Sequence, residues 1–396
     1  MNAAPPLSLY VHLPWCVRKC PYCDFNSHTA PGVLPQREYV TALLADLDQD
    51  LRDHGAWLTG RAIGSVFFGG GTPSLFAANA IAAVLEGAAA RLAFADDVEI
   101  TLEANPGTTE HDRFAAYRAA GVNRLSFGIQ SFDDAKLRRL GRIHDAAQAE
   151  RAVREAQDAG FGNINLDLMF ALPEQSVEAA LADLERAIAL GTPHLSHYQL
   201  TLEPNTAFAS NPPPLPDDDT AWDMQERAQA RLAAAGFRHY ETSAFARAGR
   251  ECRHNLNYWR FGDYLGIGAG AHAKLGETRP GAIRRRWKIR APNAYLAHAG
   301  TPRGIGGDDP VPEDQRPFEF MLNALRLADG FTLAGFEAAT GLSRESIAIP
   351  LAEGRRREWL TIEDERVAPT ALGQRFLNDV IAAFLPSRRA HRTPRP

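Results

Sequence analysis

Three cysteines within eight residues, Cys16-Val-Arg-Lys-Cys20-Pro-Tyr-Cys23, carry the spacing in this chain most suited to chemistry. Gaps of three and then two residues let one short loop turn three thiolates onto a single centre. A [4Fe–4S] cluster ordinarily takes four cysteine ligands, and the only other cysteine, Cys252, lies far downstream. A cluster held by three thiolates keeps one iron free of protein, and a small molecule can chelate it. Zinc is the competing centre: its sites close to four Cys and His ligands, and His12 or His28 would complete such a set. A disulfide framework fits poorly, with 4 Cys in 396 residues and no signal-peptide pattern.

Further polar residues follow apolar runs. Gly69-Gly-Gly-Thr-Pro-Ser74 comes straight after one, and its glycines allow close backbone approach to a ligand. It lacks the Gly-Lys-Ser/Thr ending of a phosphate-binding loop. Glu103 closes a third apolar run, Gln130 follows a fourth with Arg142 close behind, and Asp167 sits inside a fifth. Each could be structural alone, because charged groups on apolar strands need partners or a function. Gathered at one rim they suit a ligand with an amino group, a carboxylate and ribose hydroxyls, as S-adenosylmethionine has.

The elements that must position these groups are legible as alternation. Strands are expected at Leu7–Leu13, Ser65–Phe68, Val98–Glu103, Arg124–Gly128, Ile164–Met169 and Leu195–Leu200. Helices with apolar spacing near 3.6 separate them, such as Tyr39, Val40, Leu43, Leu44, Leu47 and Leu51. Such repetition predicts parallel pairing with right-handed crossovers, hence an α/β fold with a partial (β/α)6 barrel like that of the TIM family. Function then gathers at the C-terminal strand ends. The core with its extension is expected over residues 1–300. A winged-helix-like domain is expected over 310–385 and a disordered tail over 386–396. Packing or partner docking is the favoured duty of the small domain, ahead of DNA contact.

Composition sets limits. Apolar content of 45% suffices for a packed core, and net charge −5 offers no general attraction to nucleic acid. Arg284-Arg-Arg-Trp-Lys288 and Arg355-Arg-Arg357 are local basic exceptions. No run of 18 apolar residues predicts a membrane span. A reducing, cytoplasmic setting suits the cysteine usage.

Taken together, the cysteine triad with Tyr22 inside it, the Gly69–Ser74 run and the series Glu103, Gln130, Arg142 and Asp167 resemble the radical S-adenosylmethionine (SAM) superfamily. More narrowly they are similar to its oxygen-independent coproporphyrinogen oxidase-like group, over about residues 7–275, and the C-terminal module fits that group. The resemblance implies that Cys16, Cys20 and Cys23 ligate a [4Fe–4S] cluster whose free iron binds S-adenosylmethionine. It implies that Tyr10 and Tyr22 line the cofactor pocket and that Gly70, Gly71 and Thr72 meet the methionine moiety. Glu103, Gln130, Arg142 and Asp167 would hold polar groups of this or a second S-adenosylmethionine. Cleavage of the sulfonium to a 5′-deoxyadenosyl radical would be the cofactor's chemistry.

One departure bears on function. Where the group's true dehydrogenases carry a further cysteine, two residues after the third, this chain has Phe25. Phe25-Asn-Ser27 instead resembles the group's heme chaperone branch, as does His254-Asn-Leu-Asn-Tyr-Trp259, an HNxxYW motif. By that resemblance His254 ligates heme iron, with Tyr258 and Trp259 as flat faces for the porphyrin. Read as residues alone, the same run is a His-Asn pair opening an aromatic core turn. Cys252 reads as a buried thiol and His272 as local structure. The expected function is a heme-binding chaperone that delivers heme to hemoproteins, respiratory enzymes among them, with a homodimer plausible through the cluster-bearing face. The alternatives are oxygen-independent decarboxylation of coproporphyrinogen III and a radical methyltransferase.

Overall fold

The computed structural model describes residues 5–108, 111–276 and 281–386. Six strands lie side by side in chain order and run parallel: β1 (Leu7–Leu13), β2 (Ala62–Gly70), β3 (Ala93–Ala104), β4 (Arg124–Gln130), β5 (Ile164–Phe170) and β6 (His194–Gln199). β1 is buried at every position but Tyr10, the mark of a parallel strand covered on both faces. Helices α1 (Gln36–Leu58), α2 (Ala78–Ala89), α3 (His111–Ala119), α4 (Ala146–Asp158), α5 (Val177–Ala189) and α6 (Asp218–Ala234) make the crossovers and the outer layer. Their starts are written locally. Asp145 and Gln148 close a reciprocal capping box on α4, and Ser176 and Asp217 cap α5 and α6.

The partial barrel read from the sequence is present, and the sheet continues past it. β7 (Arg238–Glu241) and β8 (Ala244–Ala246) extend the β6 edge antiparallel. On the other side β9 (Asp263–Ile267) pairs parallel with β1, followed by the antiparallel strands β10 (His272–Gly276), β11 (Ile283–Lys288) and β12 (Ile305–Pro310). The twelve strands form one open sheet. Glycines in Gly266-Ile-Gly-Ala-Gly270 weaken the strand signal here, which is why a seventh parallel strand is not legible.

Beyond β12, helices α8 (Arg316–Ala324), α9 (Leu333–Thr340) and α10 (Ala348–Arg356) pack with a three-stranded sheet whose hairpin is Leu360–Glu363 and Arg366–Pro369. This is the expected winged-helix-like arrangement, with its own apolar cluster around Phe320, Phe336, Val367 and Val380. The tail expected to be disordered lies outside the described residues from 387 onward. Among the described residues no helix is long and apolar enough to cross a membrane.

The basic run at 284–288 is no free cationic patch. As β11 it sends Arg286 to Asp50 and Asp53 on α1, both at 2.8 Å, and Lys288 to Asp46 and Asp50. Lys288 is fully buried. Removing one partner of a buried ion cluster strands the other charges, at a cost of about 3–5 kcal/mol. Lys288→Met is therefore expected to lower stability by about that amount in urea denaturation. A loss under about 1 kcal/mol would show that Arg286 and the Tyr295 hydroxyl hold the two carboxylates without Lys288.

Candidate functional site

The cysteine loop leaves the end of β1 and is held from several sides. The strand pair Trp15–Cys16 and His28–Thr29 closes its base. Lys19 Nζ donates to the Phe25 and Ser27 carbonyls at 3.2 Å each. Asn26 Nδ2 donates to Ala269 O at 2.8 Å and Arg290 O at 2.9 Å, tying the loop to the β9–β10 turn and the end of β11. The Asn26 carbonyl lies 2.9 Å from His12 Nε2, and the Tyr10 hydroxyl lies 3.0 Å from His12 Nδ1. Burial lowers the His12 pKa to about 4, so the ring is neutral and donates from Nε2 to that carbonyl.

The glycine run docks against the same loop. Gly71 N donates to Leu13 O and Thr72 N to Trp15 O, each at 2.8 Å. Gly70 has φ +113°, a conformation for glycine, and a Cβ at Gly71 would lie 2.6 Å from the Trp15 carbonyl oxygen. Gly70 N also donates to Glu103 Oε2 at 3.2 Å, which joins the ends of β2 and β3.

These groups surround a cavity of about 430 Å³ at the C-terminal ends of the parallel strands. Eleven of the thirteen residues singled out from the sequence line it: Cys16, Cys20, Tyr22, Cys23, Gly70, Gly71, Thr72, Glu103, Gln130, Arg142 and Asp167. Tyr10 stands behind it, bonded to His12. Sequence reasoning missed Ser126 and Tyr198, which also line the wall. Tyr198 donates to Gln130 Oε1 at 2.9 Å, and its signal was a polar residue near the end of a strand already recognised.

The three cysteines are free thiols around the cavity. Burial raises the Cys16 pKa, opposed by a hydrogen bond from Thr72. Arg142 donates to Gly128 O at 2.6 Å and reaches Cys20 Sγ at 3.7 Å, while its buried Nε has no partner. Among the described residues no three His, Cys, Asp or Glu side chains are set to hold a single metal ion. The thiols ring a space instead. Three unpaired thiols, a glycine cradle and an orphaned guanidinium nitrogen together fit a cluster and a polar, partly anionic ligand.

At the floor of the cavity Glu103 is pushed up to about 8, first by burial and then by Asp167. Asp167 is raised by burial as well, against hydrogen bonds from Asn165 and Ser126. A site that holds one proton on a carboxyl at neutral pH is poised to lose it to a cationic ligand.

His254 is not brought into this cavity. On helix α7 (Arg253–Trp259) it is buried against the barrel interior, with Nδ1 3.0 Å from Ser65 Oγ and Nε2 2.9 Å from Tyr258 OH. Both ring nitrogens are occupied, which runs against the expectation that His254 ligates heme iron. The motif is split in space: Tyr258 turns inward with His254, while Trp259 faces a different cavity.

Comparison with known proteins agrees with this geometry. The radical SAM superfamily profile matches residues 10–187, and the HemN C-terminal domain profile matches 311–376. The solved structure of coproporphyrinogen III oxidase (HemN) from Escherichia coli, described as a radical SAM enzyme, superposes with TM-score 0.79. At 23% identity it covers 96% of this chain and 90% of its own, and it shows the shared fold. The chain is thus a radical SAM protein with a HemN-type C-terminal domain. The heme chaperone HemW of Escherichia coli K12 is 50% identical over 386 residues, covering 97% of this chain and all of that protein. HemW of Haemophilus influenzae is 49% identical over 388 residues, 97% of this chain and 99% of its own. The chain belongs to the HemW family of heme chaperones.

The raised Glu103 carboxyl has a measurable consequence. Between its ordinary value of 4.5 and about 8 the folded protein keeps a proton that the unfolded chain releases, so stability falls as pH rises through that window. The slope is at most about 1.4 kcal/mol per pH unit. Thermal unfolding of the ligand-free protein at pH 5.5 and 7.5 is expected to show a smaller loss for Glu103→Gln than for wild type. Equal losses would mean that Glu103 titrates normally.

Proposed function

We propose that this chain is a heme-binding chaperone that uses a radical SAM scaffold and delivers heme to hemoproteins, with respiratory enzymes as the leading recipients. The observation that carries the reading is an intact three-thiol cavity in a chain alike over its full length to curated heme chaperones. In this reading Cys16, Cys20 and Cys23 hold a [4Fe–4S] cluster. Tyr22, Gly70, Gly71, Thr72, Glu103, Gln130, Arg142 and Asp167 hold S-adenosylmethionine, with Tyr10 supporting them through His12. Bound together, cluster and S-adenosylmethionine supply one-electron chemistry at a sulfonium. The chain orients and shields: Arg142 neutralises charge beside Cys20, Gly70 and Gly71 let the backbone come close, and Glu103 gives up its proton when a cation arrives.

Decarboxylation of coproporphyrinogen III is the less favoured reading. Phe25, exposed at the mouth of the cavity, stands where the dehydrogenases place a further cysteine. Pairing of two copies across the cluster-bearing face belongs to the chaperone reading, and Val17, Phe25 and Ile143 expose apolar surface around the cysteine loop. That pattern is usual at protein interfaces.

Two outcomes are expected after anaerobic reconstitution. Cys20→Ala loses the cluster, read as iron and sulfide content, since two thiolates do not retain it; full content would refute the ligand set. Wild type binds heme stoichiometrically without converting coproporphyrinogen III in the presence of S-adenosylmethionine and reductant. Formation of protoporphyrinogen would restore the decarboxylase.

A further inference from the structure

A second cavity of about 460 Å³ lies in the seam between the barrel and the small C-terminal domain. Its wall is aromatic and aliphatic: Tyr240, Leu256, Trp259, Phe320, Leu327 and Phe331. The Arg326 guanidinium stacks over Trp259 at 4.2 Å and is neutralised by Glu241 at 3.0 Å. Two cations at the rim have no carboxylate partner among the described residues. The Arg260 side chain is exposed and makes no polar contact, and Arg366 spends one nitrogen on the Asp329 carbonyl. The rim carboxylates Glu251 and Asp329 are instead held by Arg238 at 2.8 and 3.0 Å. An apolar slot rimmed by two unspent guanidiniums matches a flat, apolar molecule with two carboxylates at one edge.

The seam lacks what would bind iron. No histidine, cysteine or methionine lines it among the described residues. The Tyr240 hydroxyl lies 2.8 Å from His194 Nε2 and accepts from Cys252 N, and burial raises its pKa, so it stays a phenol. His254, the histidine of the HNxxYW run, faces Ser65 on the other side of α7. We infer that the seam cavity, through Trp259, Arg260 and Arg366, binds the tetrapyrrole by its ring and its two carboxylates, and leaves the central metal unligated by this chain. This rests on the heme-chaperone reading and specifies how the cargo is gripped. A cargo whose iron is free of its carrier can be taken by a recipient's own axial ligand without a ligand first being displaced.

The test uses the full chain and two probes, hemin followed at its Soret band and metal-free protoporphyrin IX followed by tryptophan quenching. Wild type is expected to bind both within about threefold of each other, because a metal ligand would separate them by far more. Arg260→Glu and Arg366→Glu, both at exposed side chains, are each expected to weaken both probes about tenfold, the scale of one charge-assisted contact. Arg355→Glu, an exposed arginine in another groove, should change neither. Loss of metal-free protoporphyrin binding with hemin binding retained would overturn the inference in favour of iron ligation. Unchanged affinity in both rim variants would move the site elsewhere. If wild type bound neither probe, the chaperone reading itself would fall, and the inference with it.

Discussion

The constraint on which the site depends is the anchoring of a loop that has almost no structure of its own. Between Cys16 and His28 the chain forms turns only, and the thiols have meaning only if that stretch is fixed in space. The fixing is done by backbone and amide contacts: the glycine run laced onto Leu13 and Trp15, Lys19 closing the loop on itself, and Asn26 bonded outward in two directions. His12 links these systems, since its ring packs under Gly70 and donates to Asn26. A cradle of this kind is preorganised, so its geometry does not await the ligand.

Beneath the cavity the barrel interior is polar to an unusual depth. Asn165 touches Asp167 at 2.8 Å and His194 at 2.6 Å, and His194 reaches Tyr240 at 2.8 Å. Tyr240 also lines the seam. The two cavities are thereby joined by a short run of side chains that includes one neutral histidine, because burial drives His194 far below its ordinary value. Fully partnered networks of this sort specify one arrangement of the core, at the cost of the stability that apolar packing would provide.

How much of this was legible follows from the kind of signal each part leaves. Strands such as Leu7–Leu13 and Ile164–Phe170, with an apolar side chain at every second position, announce themselves, and the helices between them carry a clear period. The cysteine spacing and the polar residues at strand ends led to one cavity because the topology of parallel strands gathers such ends. What the sequence did not disclose was orientation. His254 and Trp259 are five residues apart on one short helix, which turns them to opposite sides, and a linear motif conceals that division. Nor did the run Arg284–Lys288 reveal that Arg286 and Lys288 find carboxylates on α1, more than 200 residues earlier.

That separation matters most for Asn26. Its amide is bonded to Ala269 and Arg290, 243 and 264 positions away. During synthesis the cysteines leave the ribosome near the beginning, yet the surfaces that hold their loop are made only after some two-thirds of the polypeptide has followed. Until then the Asn26 amide lacks the two carbonyls it donates to, and that side of the cysteine loop is unfixed. The order of translation thus makes the anchoring of the cysteine loop a late event, fixed by completion of the sheet rather than by the appearance of the thiols.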